Sequence, residues 1–394
     1  MSDRPGSSPV DEDLAPTPRS ASGTASAGAG PAPRRAGAVE DSGAQAPAAS
    51  SPPVRGRGPS LQDVARLAGV SHMTVSRVLN ETANVAAATR ERVLAAIREL
   101  GYHPNTAARA LATGRSTTLG VVSFDTTLYG PASTLYGIEQ AARPAGYSIN
   151  IVSLRTLNRQ SITEALDNLR GNAVEGAIVI APHVSAARAL RQMPLTVPMV
   201  AVESGAGSPS FPTVAVDQRA GGFMATRHLL SLGHRTVWHI AGPPDWLEAQ
   251  GREKGWVQAL AAAGVEAPEP LHGDWSPRSG YEIMRELLTG PLPTAIFVAN
   301  DQMAFGVLRA LREARVEVPG DISLVGFDDV PEAAYFSPPL TTVRQDFQKV
   351  GKRTFDLLRA QIDGERHGIA RSIVEPDLVV RESSCPPRCP GPPN

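Results

Sequence analysis

The chain has 394 residues, 42% of them hydrophobic, and its 38 basic residues nearly balance 39 acidic ones. That length allows two or three domains with a substantial core, and the near-neutral total gives no sign of a polyanionic partner. No apolar run approaches the roughly 20 residues that cross a bilayer, so no membrane partner is expected.

Of the first fifty residues 33 are Pro, Gly, Ser or Ala, with no aromatic residue and no apolar stretch of the secretory kind. Residues 1–58 therefore read as a disordered tail of a cytoplasmic protein. "SLQDVARLAGV" then opens with Ser60 and carries Asp63 three residues on, a capping box that satisfies free N–H groups at a helix start. Val64, Ala65 and Ala68 form its small apolar stripe and Gly69 ends it. In "GVSHMTVSRVLN" Ser71 can cap a second helix whose Val75, Val78 and Leu79 share one face. His72, Met73, Ser76 and Arg77 are left on the other. Two short helices around a Gly-containing turn, residues 61–80, form a helix-turn-helix.

"TRERVLAAIRELG" predicts a third helix that buries Val93, Leu94, Ile97 and Leu100, with Ala86 or Ala87 where a capping Ser would be stronger. Residues 59–103 thus form a three-helix headpiece. Residues 104–116 contain Pro104, Asn105 as a cap and a short Ala-rich segment around Ala108 and Leu111, too short to be a stable helix alone. Nine arginines against four acids between Arg55 and Arg115 make this region locally basic, the footprint of a small nucleic-acid-binding module or of an ordinary solvated helical surface.

From residue 117 to 383 the texture becomes α/β. The runs "LGVVSFD", "YSINIVSL", "GAIVIAP", "VPMVAVES", "TVAVD", "TVWHIAG", "TAIFVAND" and "ISLVGFDD" alternate with amphipathic helices. Such runs predict parallel strands buried on both faces. Several end in polar residues, among them Asp125, Glu203, Asp217, Asn300, Asp301, Asp328 and Asp329, and ligands of open α/β sheets bind beyond strand carboxyl ends. Residues 384–394 read as a frayed Pro-rich tail. Cys385 and Cys389 lack the further ligands of a zinc site, so neither metal nor cofactor is expected.

"LQDVARLAGVSHMTVSRVLN", "TRERVLAAIRELGYHPN" and "ARALATGRS", followed by "LLSLGHR", "HIAGP", "GDWSPRSGY", "VANDQMAFGVLRAL", "DISLVGFDD" and "PPLTTVRQDF", resemble the lactose-repressor family of bacterial transcription regulators. In the body the likeness is to the repressor that gives the family its name. The resemblance covers most of residues 60–383. It implies a helix-turn-helix headpiece joined by a hinge helix to a body like the periplasmic sugar-binding proteins, two α/β subdomains linked by three crossing strands.

The resemblance places Ser71, His72, Met73, Thr74, Ser76, Arg77 and Asn80 in the major groove of operator DNA. It places Asn105, Ala108 and Leu111 in a hinge helix in the minor groove, Leu111 wedged between base steps. The chemistry agrees, since Arg pairs with guanine in bidentate fashion and short polar side chains reach phosphates or base edges. Met73 stands where a polar reader is usual; a thioether can pack on a thymine methyl or a cytosine edge, which predicts an altered half-site. Leu111 also has a plain packing alternative.

For the effector the resemblance implies Leu128, Glu203, Arg252, Trp275, Asn300, Asp328, Gln345 and Phe347, with Val202 nearby. An indole packs on sugar C–H groups while Arg, Asn and Asp bind hydroxyls. Trp275 as a core aromatic, and Asp328, Asn300 or Asp301 as loop or helix caps, are the structural alternatives; His234 and His239 read as structural. Glu203 in place of a shorter Asp, Val216 in place of an aromatic residue and Phe124 in place of a small polar one bear on which sugar fits, a galactoside being the first expectation. No leucine-heptad tail follows Val380, so a homodimer on a pseudo-palindrome is expected rather than a tetramer.

The function expected is a repressor of carbohydrate-utilisation genes, located with the nucleoid and released by a sugar inducer. Co-repression and a solute-binding protein are the alternatives. No enzyme is expected: Asp328 and Asp329 are adjacent, so on an extended strand end they point to opposite sides and cannot flank one glycosidic bond.

Overall fold

The computed structural model describes residues 59–79, 85–103, 114–154, 156, 158–193, 197–205, 207–208, 210–365 and 371–388. The 1–58 tail, Asn80, Asn105, Ala108, Leu111 and Cys389 lie outside them. Among the described residues no helix is long and apolar enough to cross a membrane.

The headpiece is built from α1 (Leu61–Ala68), α2 (His72–Leu79) and α3 (Ala87–Leu100). Its caps follow from the sequence. Ser60 Oγ accepts from the Asp63 N–H, Asp63 accepts from the Ser60 N–H at 2.9 Å, and Gly69 closes α1 at φ 62°. Ser71 Oγ accepts from the Thr74 N–H at 3.1 Å, whereas Ala86 supplies no side-chain cap to α3. Val64, Ala65, Ala68, Val75, Val78, Val93 and Ala96 close the small core. Leu94 is not in it: it is 39% exposed. Val93, Ala96, Ile97 and Leu100 make the inward stripe, and Leu94 lies a further 100° round the helix.

The body holds two six-stranded sheets. The first orders β1 (Thr118–Phe124), β2 (Ser148–Leu154), β3 (Gly176–Ile180), β4 (Met199–Val202), β5 (Thr213–Val216) and β11 (Arg371–Val374) as β11-β5-β4-β3-β1-β2, all parallel. The second orders β6 (Trp238–Ala241), β7 (Leu271–His272), β8 (Ala295–Val298), β9 (Ser323–Asp328), β10 (Thr341–Arg344) and β12 (Asp377–Val379) as β12-β10-β9-β8-β6-β7. There β12 runs antiparallel to β10. All eight expected runs are strands. Burial on both faces fails only at β2, an edge strand whose Ile151 is exposed.

The helices are α4 (Tyr129–Ala142), α5 (Arg159–Gly171), α6 (Val184–Arg191), α7 (Gln218–Ser231), α8 (Leu247–Ala262), α9 (Pro277–Leu287), α10 (Asp301–Glu313) and α11 (Phe347–Ile362). The chain passes between the sheets three times: from β5 into α7, from β10 into α11, and from β11 into β12. Through the second passage α11 returns to cover the first sheet, where Val350, Phe355 and Leu358 join the core of Val121, Ile178 and Val200. In both sheets the strand order reverses at one point, between β1 and β3 and between β6 and β8. Loops leave the carboxyl ends of those strands in opposite directions and open a crevice.

Residues 384–388 are not frayed. The Cys385 carbonyl accepts from His234 Nε2 at 3.0 Å and from Ser323 Oγ at 2.9 Å, and Arg388 pairs with Glu317 and Asp321. These contacts explain His234, whose other ring nitrogen meets Thr294. His239 is also structural: it stacks on Phe297 at 4.5 Å, bonds that residue's carbonyl, and burial pushes its pKa down to about 3.

Close approach of α7 and α8 sets Arg252 against the second sheet. A Cβ on Gly222 would collide with the Arg252 carbonyl, and one on Gly255 with the Arg219 carbonyl. Gly222→Ala is expected to lower stability by about 1–3 kcal/mol, the cost of overpacking a filled interface. Urea denaturation checks it, with a lower midpoint at unchanged slope.

Candidate functional site

A cavity of about 310 Å³ lies where the carboxyl ends of the two sheets face each other. Loops and strands of the first sheet supply Leu128, Tyr129, Val202, Ser204 and Val216. The second sheet and its helices supply Trp246, Glu248, Arg252, Trp275, Asn300 and Asp328, and the chain passages add Gln218, Gln345 and Phe347. Seven of the eight residues expected at the effector site are therefore brought together.

Glu203 is the exception. It follows Val202 in an extended segment, so the two side chains leave on opposite faces. Its carboxylate meets Arg191 at 3.2 Å with no side-chain exposure, and burial raises its pKa despite that partner. It braces the first sheet instead of lining the cavity.

Four buried side chains close a ring on the cavity floor. Gln218 Nε2 donates to Gln345 Oε1 at 2.7 Å and Gln345 Nε2 to Asp328 Oδ1 at 2.6 Å. Arg252 donates from Nη2 to the same Asp328 oxygen at 3.4 Å and from Nε to Gln218 Oε1 at 2.9 Å. A further Arg252 hydrogen bond goes to the Ala299 carbonyl. Its guanidinium lies 3.9 Å from the Phe327 ring centroid and 5.4 Å from that of Trp275. Burial raises the Asp328 pKa, with Arg252 opposing it. In such a site each charge needs its partner, because removing one strands the other.

Trp275 and Asp328 both adopt left-handed backbone, φ 74° and 108°, a cost of order 1–3 kcal/mol each that only a determined surrounding holds. Trp275 presses its ring on Gly242, where a Cβ would collide with it, and meets Trp246 edge to face at 5.5 Å. Asn300 fixes the Trp275 loop. Its Oδ1 caps α10 through the Met303 N–H, while Nδ2 donates to the Trp275 carbonyl and to Gln302 Oε1, each bond 3.0 Å. Both amide hydrogens of Asn300 are thus engaged, so the capping alternative describes it better than a hydroxyl donor does. Asp301 is also structural, buried where it accepts from Thr342 and the Val330 N–H.

Asp328 and Asp329 do face different partners. The left-handed turn at both residues achieves this in place of strand alternation: Asp329 pairs with Arg344 and Arg381, each at 2.6 Å. Phe124 does not line the cavity; it packs edge-on to His183 and Trp246.

Glu248 was not foreseen. It precedes Arg252 by one helical turn, so the spacing that puts both on one face of α8 could have found it. Ser204 Oγ donates to its Oε1 at 3.2 Å, its Oε2 is shut from solvent without a partner among the described residues, and burial pushes its pKa up to about 7. Trp275 Nε1 is likewise without a partner among the described residues. Gln218 was also missed, although it follows the strand-end Asp217 directly.

On the headpiece His72, Met73 and Arg77 are exposed on α2, Met73 at 53%. Ser71 and Thr74 bond one another at 2.9 Å at the helix start, leaving Ser76 half-buried beside them. Arg115 departs from the basic surface: it pairs with Glu175 and Asp363 of the body.

Residues 60–105 match the family model for bacterial regulatory proteins of the lacI family, and residues 226–384 that for a periplasmic binding protein-like domain. The HTH-type transcriptional repressor PurR of Haemophilus influenzae is 33% identical over 82% of this chain and 98% of its own. The lactose operon repressor of Escherichia coli is 34% identical over 83% and 91%. A solved lac repressor dimer, bound to operator and the anti-inducer ONPF, superposes with a TM-score of 0.74 over 84% of this chain and 100% of the other, at 32% identity. A complex of the transcriptional regulator CelR with cellobiose gives 0.63 over 83% and 100%, at 34% identity.

Glu248 carries a pH signature. Its pKa of about 7 stands above the ordinary 4.5, so the native state holds a proton that the unfolded chain releases, and stability falls as pH rises from about 4.5 through 7. Glu248→Gln removes that loss. In thermal melts the variant should gain on the wild type between pH 5 and pH 8; parallel profiles would contradict the assignment.

Proposed function

The chain belongs to the lacI family of bacterial regulatory proteins and is a DNA-binding transcriptional repressor, and from that premise we propose that a neutral sugar in the cavity between the subdomains releases it from its operator. The observation that carries the effector reading is the pairing of an indole wall, Trp275 edged by Trp246, with the polar ring of Gln218, Gln345, Asp328 and Arg252. Aromatic faces suit sugar C–H surfaces and a fixed polar cluster suits hydroxyls. Trp275 Nε1 and Glu248 Oε2 are the two groups a hydroxyl-rich ligand would satisfy on closure. Galactosides remain the first sugars to test, with cellobiose beside them because CelR binds it.

Operator recognition in this reading falls to α2, with His72, Met73 and Arg77 facing the groove and the helix N-terminus near a phosphate. Asn80, Asn105, Ala108 and Leu111, which lie outside the described residues, complete the DNA contacts, the last three in the minor groove. A homodimer presents two such helices to a pseudo-palindrome, as two-fold symmetry requires. Sugar acts through its different affinity for two states, so the operator must weaken sugar binding by the same factor. The genes controlled are those for using the sugar, in the cytoplasm.

Three measurements test this. A sugar at 100 times its dissociation constant should stabilise the protein by about 2.7 kcal/mol, and Trp275→Ala should abolish the thermal shift; a shift that survives it places the ligand elsewhere. In a gel shift with its own promoter region the same sugar should free the DNA, whereas tighter binding would make it a co-repressor. For Met73→Gln, selection from random DNA should return a site altered at one or two base pairs per half, and an unchanged site would mean that Met73 reads none.

A further inference from the structure

A second cavity, of about 590 Å³, adjoins the first and shares Ser204, Val216 and Gln218 with it. Its chemistry differs. Arg191 on α6 and Arg371 on β11 line it from the first subdomain, Arg219 on α7 and Lys254 on α8 from the second. The one acidic side chain in its lining, Asp217, accepts the Ala220 N–H at 2.8 Å and is outnumbered by the four cations.

The cations are partly compensated. Glu203 neutralises Arg191, which is also fixed by the Gly207 carbonyl at 2.9 Å, and the Glu203 charge acts on Arg371 as well. Arg371 donates to the Gly205 carbonyl at 2.7 Å and Arg219 to the neutral amide of Gln258 at 2.7 Å. Among the described residues none of Arg219, Lys254 and Arg371 forms an ion pair, and the positive end of α7 at the same rim is offset by its capping carboxylate, Asp217.

We propose that this cavity is a binding site for a small phosphate-bearing anion. A cleft lined by one sign of charge focuses its field on a ligand of the other, and phosphate oxygens accept charge-assisted bonds from several guanidinium and ammonium groups at once. Their division between the subdomains gives the site a consequence: without an anion Arg371 repels Arg219 and Lys254 across the passage from β5 to α7, and with one they are drawn together. Anion binding therefore favours the closed arrangement of the subdomains and adds a second input to the regulator.

Calorimetric titration of the full chain with inorganic pyrophosphate tests the site. Binding should weaken with added salt, fall at least tenfold in the double variant Arg219→Gln, Lys254→Gln, and stay unchanged in Trp275→Ala. Absence of binding at millimolar pyrophosphate overturns the proposal. So does wild-type affinity in the double variant, or an equal loss in a control lacking two distant surface charges, Arg278→Gln, Arg309→Gln. Repeating the titration with a hexose monophosphate separates the sources. Loss in the double variant alone supports an independent anion, and loss there and in Trp275→Ala supports one ligand whose phosphate reaches across from the sugar cavity. None of these readouts uses neutral sugar or DNA, so failure here is separable from failure of the function proposed above.

Discussion

The closed ring of Gln218, Gln345, Asp328 and Arg252 is the constraint on which the body depends. Two of its members stand in the chain passages between subdomains: Gln218 immediately after the first, Gln345 within the second. The other two, Asp328 at the end of β9 and Arg252 on α8, belong to the second subdomain, and all four line the cavity between the sheets. A group that touches one ring member therefore touches the hinge. Burial disfavours both charges, so the ring holds only as a complete set. The glycine contacts between α7 and α8 bring Arg252 close enough to take part.

Around that ring the protein accepts several local costs. Left-handed backbone at Trp275 and Asp328, a protonatable Glu248 without a full set of partners and an orphaned indole N–H all gather at one cavity. Strain and unmet hydrogen bonds collect where function needs them. In the proposed function a ligand supplies what is missing there, and the adjoining basic cleft straddles the same passage.

Much of this was legible in the sequence. The capping box at Ser60, the stop at Gly69 and the stripe of Val64, Val75 and Val78 needed only local rules. The strand-end rule led to Asn300 and Asp328 because both follow buried apolar runs. It failed at Glu203, since a shift of one residue along an extended segment reverses the face and resemblance fixes position more surely than direction. Leu94 was misplaced for the helical equivalent of that reason. Glu248 and Gln218 went unseen because their meaning depends on tertiary neighbours, a serine 44 residues away and a glutamine 127 residues away. The anchored segment 384–388 was hidden by a composition typical of frayed ends.

In the proposed function the ring transmits cavity occupancy to the hinge and so to DNA. The direct measurement is the ratio of operator affinities without and with saturating sugar, for the wild type and for Gln345→Leu, which opens the ring within the second passage. The wild type should show a ratio in the range of about 5 to 150 typical of such coupling, and the variant, at a sugar concentration that its own thermal shift shows to be saturating, a ratio near one. An undiminished ratio in the variant would contradict the claim.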